Sequence, residues 1–238
     1  MTSDLLPGNA DRYAPKTLPP DPASPLFGTT IGFLGSSITI GAASLGDSFV
    51  QFLAQKDGVV PVESAISGTT LAGTAPDTYV SRLASDFAAV PALDAFVLQL
   101  STNDSRQNKA LGAIAPGPAT AAPAGAAKTA YDVETTTGAI EHVLATVAAR
   151  WGCPVLVYTC LRDPSDRDYA ALVARLYALQ AKWHFAILDL YADAALHAAT
   201  AALPEAMADD AHPTRLGYRA LWLPRFEAAL APLIGGKK

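Results

Sequence analysis

Cysteine is scarce. Only Cys153 and Cys160 occur in 238 residues, and they bracket the apolar run at 154–159, which reads as a strand. At roughly 3.3 Å per residue their Cα atoms stand about 23 Å apart, outside disulfide reach, so both are expected as thiols. Basic residues are also in the minority, 17 Lys and Arg against 22 Asp and Glu, for a formal charge of -5. Without a basic stripe to neutralise phosphates, nucleic acid is an unsuitable partner and a small or neutral substrate fits better. No run of about 18 apolar residues occurs, so no membrane span is expected. The first 25 residues lack the basic start, the continuous apolar stretch and the small-residue cleavage site of a secretory signal, which points to a soluble cytoplasmic protein. Charge of either sign makes up 16% of the chain and apolar residues 50%. That is ample material for one large core at the upper end of single-domain length.

Residues 1–28 are rich in Pro, Asp and Ser without a sustained apolar period, and read as an arm laid over the body or a disordered tail, with no visible chemistry. The remainder, 29–238, reads as a single domain. Its short apolar runs at 30–34, 59–63, 95–100, 155–159 and 186–190 alternate with helical patterns at about 45–56, 77–88, 133–150, 166–183 and 215–233. This is the alternation of βα units and a parallel sheet, with right-handed crossovers placing helices on both faces. Residues 111–128 are Ala/Gly/Pro-rich and too broken by proline for a helix. They are expected to form a mobile surface loop, able to border a site.

In an open parallel sheet, ligands sit outside the carboxyl ends of the strands. Four groups of polar residues fall there: Gly35-Ser36-Ser37-Ile38-Thr39, Ser67-Gly68-Thr69-Thr70, Ser101-Thr102-Asn103-Asp104, and Asp209-Asp210-Ala211-His212-Pro213-Thr214 before the last helix. A serine in a tight strand-to-helix turn, with Gly35 permitting the turn, suits a nucleophile, and Ser37 is the candidate. Its hydroxyl is inert without a base, and His212 alone of the four histidines falls in a loop at that edge; His142, His184 and His197 lie in or beside helical patterns and read as structural. Asp209, three residues before His212, can fix the imidazole tautomer, with Asp210 as fallback. The candidate oxyanion donors are the Ser37 N–H, the Gly68 N–H and the Asn103 amide.

Each signal is weak singly; their order along an α/β chain carries the reading. Phe33 to Thr39, Ser67-Gly68, Thr102-Asn103-Asp104 and Asp209 to Pro213 resemble the four blocks of the SGNH, or GDSL-type, hydrolases over about residues 30–232. Ser36 stands where that family often has Asp, and Ser101 where it often has Gly. The resemblance implies a three-layer α/β/α, flavodoxin-like fold around a five-stranded parallel sheet. It also implies metal-free, cofactor-free ester hydrolysis through Ser37, His212 and Asp209, with a shallow, adaptable site. Small residues around the blocks, and no aromatic cluster near them, favour short acyl groups.

Three other readings compete. Gly32 to Gly35 and Glu63 could form a phosphate turn and a ribose acid, although the pattern is not G-x-G-x-x-G and no Walker lysine follows. An acyltransferase or a silent ligand-binding relative would share the fold. Asp209, Asp210 and His212 are metal-ligand types, but without the spacing of a known site. Oligomeric state is not legible.

Overall fold

The computed structural model describes residues 3–163, 166 and 168–235. Residues 1–2 of the expected arm, 167 near the start of the expected 166–183 helix, and 236–238 lie outside the described residues. Five strands form one sheet: β1 (Thr30–Gly35), β2 (Val60–Ala65), β3 (Ala95–Gln99), β4 (Val155–Tyr158) and β5 (Ala186–Leu188). The order is β2-β1-β3-β4-β5 and every pairing is parallel. Every residue of β3 is buried, as befits the middle strand of a sheet covered on both faces.

From β1 the chain steps outward to β2, then returns across β1 to β3 and continues in that direction. The switch therefore lies between the carboxyl ends of β1 and β3, the place where open parallel sheets take their ligands. The helices are α1 (Ser37–Ile40), α2 (Phe49–Asp57), α3 (Tyr79–Ser85), α4 (Thr102–Arg106), α5 (Ala124–Ala130), α6 (Thr136–Arg150), α7 (Tyr169–Trp183), α8 (Ala194–Ala202), α9 (Arg215–Gly217) and α10 (Leu223–Gly235), the last two joined by a π-helical turn at Tyr218–Trp222. The chain reversal puts α2 on one face, where it packs against α10, while α3, α6 and α7 pack on the other. The result is a three-layer α/β/α fold.

Local chemistry sets several boundaries. Ser48 and Gln51 form a capping box at the start of α2, and Gly58 closes it in the left-handed conformation. Between the sheet and the α2/α10 layer, Phe49 stacks on Phe226 at 3.7 Å between ring centroids, with Tyr158 edge-on to both. This aromatic cluster reaches the Ser37 turn from beneath: Tyr158 shares a 2.7 Å hydrogen bond with Thr39, and Tyr218 donates to the Ile38 carbonyl at 2.6 Å. An aromatic cluster thus does stand near the first block, assembled from distant parts of the chain, but it is buried scaffold and not pocket wall.

Two expectations change. The 111–128 segment is neither free of helix nor loosely attached. Its prolines end at Pro123, and α5 begins immediately afterwards. Glu141, fully buried in α6, accepts from the Ala115 N–H (2.8 Å) and from Lys182 (2.6 Å), and Lys182 also donates to the Ala115 carbonyl. Farther on, the Ala122 N–H reaches the Ala145 carbonyl, so the segment descends the flank of α6. The N-terminal arm is a series of 3-10 turns, and Asn9, Ala14 and Leu26 within it are buried. Neither cysteine forms a disulfide. No helix among the described residues is long and apolar enough to cross a membrane.

His142 is buried in α6, and burial pushes its imidazole down to about 4 from 6.5. A lowered value means that the unfolded chain takes up the proton first, so stability falls as pH drops from about 6.5 towards 4. The loss should be on the order of 2 kcal/mol by about pH 5. The decline in Tm between about pH 7 and pH 5 should therefore be smaller in His142→Gln than in the unaltered protein, as measured by calorimetry.

Candidate active site

The turn that carries Ser37 follows from one close approach. At Gly35 a Cβ would stand 1.7 Å from Thr39 Oγ1 and 2.8 Å from Gln99 Oε1, so only glycine lets β1 end against these side chains. Gln99, buried at the end of β3, accepts from the Ser36 N–H and the Thr39 hydroxyl, both at 2.8 Å. Ser37 then opens α1. Among the described residues no acceptor meets its N–H, as expected of a helix's first turn.

The loop after β2 and the helix after β3 form one hydrogen-bonded unit. Asn103 donates through its side-chain nitrogen to the Thr69 carbonyl (2.9 Å), Ser101 donates to the same oxygen, and Gln107 donates to the Gly68 carbonyl (2.7 Å). Asp104 is fully buried and accepts from the Leu71 and Ala72 N–H groups and the Thr136 hydroxyl, tying the loop to α6. Burial raises its pKa, and the Leu71 and Ala72 donors and Thr136 offset that only in part. Gly68 has φ +80°, which favours glycine, although a Cβ there would meet nothing within 4 Å. The constraint at Gly68 is thus conformational and not spatial. Among the described residues its N–H, like the second hydrogen on the Asn103 nitrogen, has no protein acceptor.

From the other side comes His212, on a loop closed by an antiparallel bridge between Met207 and Pro213. His212 Nε2 lies 2.8 Å from Ser37 Oγ, and Nδ1 lies 2.9 Å from each oxygen of Asp209. Asp209 also accepts the Ala211 and His212 N–H groups at 2.8 Å. Partial burial raises the Asp209 pKa, but the Ala211 N–H, the His212 ring and the His212 N–H outweigh it and hold it below the usual value. It is Asp209, then, and not the fallback Asp210, whose carboxylate meets the ring. Among the described residues no three His, Cys, Asp or Glu side chains are grouped to hold a metal ion.

A model of the GDSL-like lipase/acylhydrolase family matches residues 33–220. The chain belongs to that family. It is an SGNH-type ester hydrolase. Solved structures with the same fold include a protein from Lactobacillus plantarum, 20% identical, covering 88% of this chain and 98% of its own, with a TM-score of 0.62. A carbohydrate acetylesterase family member from Sinorhizobium meliloti is 17% identical (87% and 99% covered, TM-score 0.55). An acetyl xylan esterase, AlAXEase, is 17% identical (84% and 99%, TM-score 0.57). No curated protein matches the chain.

In this hydrolase the nucleotide-binding alternative loses its basis. Gly32 is inside β1, where a Cβ would meet Phe96 and Leu93, so it belongs to the core and not to a phosphate turn. Glu63 accepts from Gln51 at 2.8 Å. Supporting side chains that sequence reasoning passed over are Gln99, Asp104 and Arg82. Arg82, buried in α3, donates to the Gly35 and Asp77 carbonyls and to the Ser64 and Thr69 hydroxyls. It joins the end of β1 to the Gly68 loop. A polar residue closing an otherwise apolar strand run was the available signal for Gln99.

Arg82→Met should leave the buried Gly35 carbonyl and the Ser64 hydroxyl without this donor and cost about 3 kcal/mol. Arg82→Lys should recover little of it, since an ammonium cannot span four acceptors laid out for a fork. Urea denaturation of the three proteins checks both.

Proposed function

We propose that this hydrolase is a serine esterase acting on a short-chain acyl or acetyl ester through an acyl-enzyme. Ser37 is its nucleophile, His212 its base and Asp209 the orienting carboxylate. The observation that carries the proposal is the continuous line of contacts from Asp209 through both imidazole nitrogens to Ser37 Oγ, at 2.9 and 2.8 Å. With its hydrogen directed at Asp209, Nδ1 leaves Nε2 unprotonated, the tautomer that can accept the Ser37 proton.

In the first step Ser37 Oγ attacks the ester carbonyl while its proton passes to Nε2. The oxygen of the tetrahedral intermediate takes the unengaged donors, namely the Ser37 N–H, the Gly68 N–H and the second Asn103 amide hydrogen. Collapse expels the alcohol, which leaves with the proton from Nε2. Water then enters, gives a proton to Nε2 and attacks the acyl-enzyme, releasing the acid and regenerating Ser37. The acyl preference is supported by the small side chains that flank Gly68 and Asn103 in the chain, namely Thr69, Ser101 and Thr102. The catalytic domain proposed is residues 29–238.

Hydrolysis of p-nitrophenyl acetate and its longer-chain homologues tests the proposal. Ser37→Ala and His212→Ala should each lose on the order of a thousand- to millionfold in turnover, because the groups act as a unit. Turnover near normal in Ser37→Ala would refute the nucleophile. Asp209→Ala should lose less than either, and Asp210→Ala should stay near the unaltered rate; the reverse order would reassign the carboxylate. Acetate should be cleaved faster than long-chain esters.

A further inference from the structure

We infer that Asn9 in the N-terminal arm is a positioning residue for the Ser37–His212 pair, holding the turn that follows the serine against the segment that follows the histidine. The inference rests on the reading of those two residues as nucleophile and base. The arm precedes the segment matched by the family model, which begins at residue 33.

Asn9 is 3% exposed, and its amide is bonded at both ends. Nδ2 donates to the Ala43 carbonyl at 2.8 Å and to the Ser3 carbonyl at 2.6 Å, while Oδ1 accepts the Arg215 N–H at 2.9 Å. Ala43 belongs to the turn that closes α1, where the neighbouring Ala42 N–H donates to the Ser37 carbonyl at 2.9 Å. Arg215 lies three residues beyond His212, and its guanidinium returns to the Asn9 carbonyl (3.0 Å) and to Asp47 (2.6 Å), just past the same turn. A single buried amide thus spans the two segments whose separation sets the Nε2 to Oγ distance.

The neighbouring glycine makes the same point independently. A Cβ on Gly8 would stand 1.9 Å from the Glu205 carbonyl oxygen and 2.4 Å from Thr214 Oγ1. The Thr214 hydroxyl is itself bonded to that carbonyl at 2.7 Å, at the base of the histidine loop. The arm is therefore seated in backbone contact with the loop, closer than any side chain would allow. Within the body, Tyr218 provides another tie from the C-terminal segment, to the Ile38 carbonyl. Asn9 adds the tie on the solvent side of the serine turn.

A proton transfer over 2.8 Å tolerates little displacement, and a misplacement of about 1 Å costs on the order of a hundredfold. Loss of the Asn9 bridge should accordingly lower kcat about ten- to a hundredfold with KM nearly unchanged. The experiment compares the unaltered protein with Asn9→Ala and Arg219→Ala. Arg219 holds the arm farther along, through the Arg12 carbonyl and the Thr17 hydroxyl. For each, Tm is measured, then kcat and KM on p-nitrophenyl acetate and the rate of Ser37 phosphonylation by an alkyl fluorophosphonate, well below Tm.

The expected result is slow phosphonylation and low kcat in folded Asn9→Ala, with Arg219→Ala losing Tm but keeping the unaltered rates. Unaltered rates in folded Asn9→Ala, or equal slowing in Arg219→Ala, would overturn the inference and leave the arm a stabilising element only. If Asn9→Ala does not fold, Asn9→Asp keeps the acceptor for Arg215 and removes both donors; it should show the same slowing, and an unaltered rate there overturns the inference as well. Failure of the unaltered protein to be labelled at Ser37 would instead refute the nucleophile, and the role of Asn9 with it.

Discussion

Gln99 presents its buried side-chain oxygen to the Ser36 N–H and the Thr39 hydroxyl at once, from the end of the strand in the middle of the sheet. An unpaired amide at that depth would be costly, so these bonds hold the turn and the strand in one arrangement. Gly35 makes the approach possible, Arg82 grips the Gly35 carbonyl from α3, and Tyr158 closes the chain of contacts through Thr39. Ser37 is thereby fixed by side chains from β3, α3 and β4, elements that are far apart in sequence and adjacent only because of the strand order.

The same economy governs the rest of the site. The loop carrying Gly68 contributes little structure of its own and is held by α4 and α6 through Asn103, Gln107 and Asp104. Asn103 uses one amide hydrogen for this anchoring and keeps the other unengaged. The His212 loop is held by its own bridge, by Asp209 and, just beyond it at Arg215, by the arm. Rigid elements meet at the topological switch, and short loops carry the candidate site residues to it.

Much of this was legible in the chain. The five strands are short apolar runs bounded by turn residues, because a parallel strand buried on both faces has no polar side to interrupt it. Their observed limits differ by one or two residues. Less visible was α8: alanine fills most of it and only Leu196 is buried, so no apolar stripe marks its period, although Asp193 caps it by accepting the Leu196 N–H. The helix α5 was masked by the three prolines that precede it. The arm, poor in apolar pattern, gave no sign that Asn9 would be buried.

The order of residue types along the chain, Ser37, Gly68, Asn103 and His212 each after a strand or before the last helix, determined the family and the candidate site. It did so because backbone turns and reactive side chains are local properties that a sequence carries directly. Only the tertiary structure decided that Asp209 and not Asp210 faces the imidazole, that the 111–128 segment lies along α6, and that Asn9 joins the segments carrying Ser37 and His212. Those facts depend on which distant surfaces come within hydrogen-bond reach, and that is set by packing over separations of up to 206 residues, which no local pattern encodes.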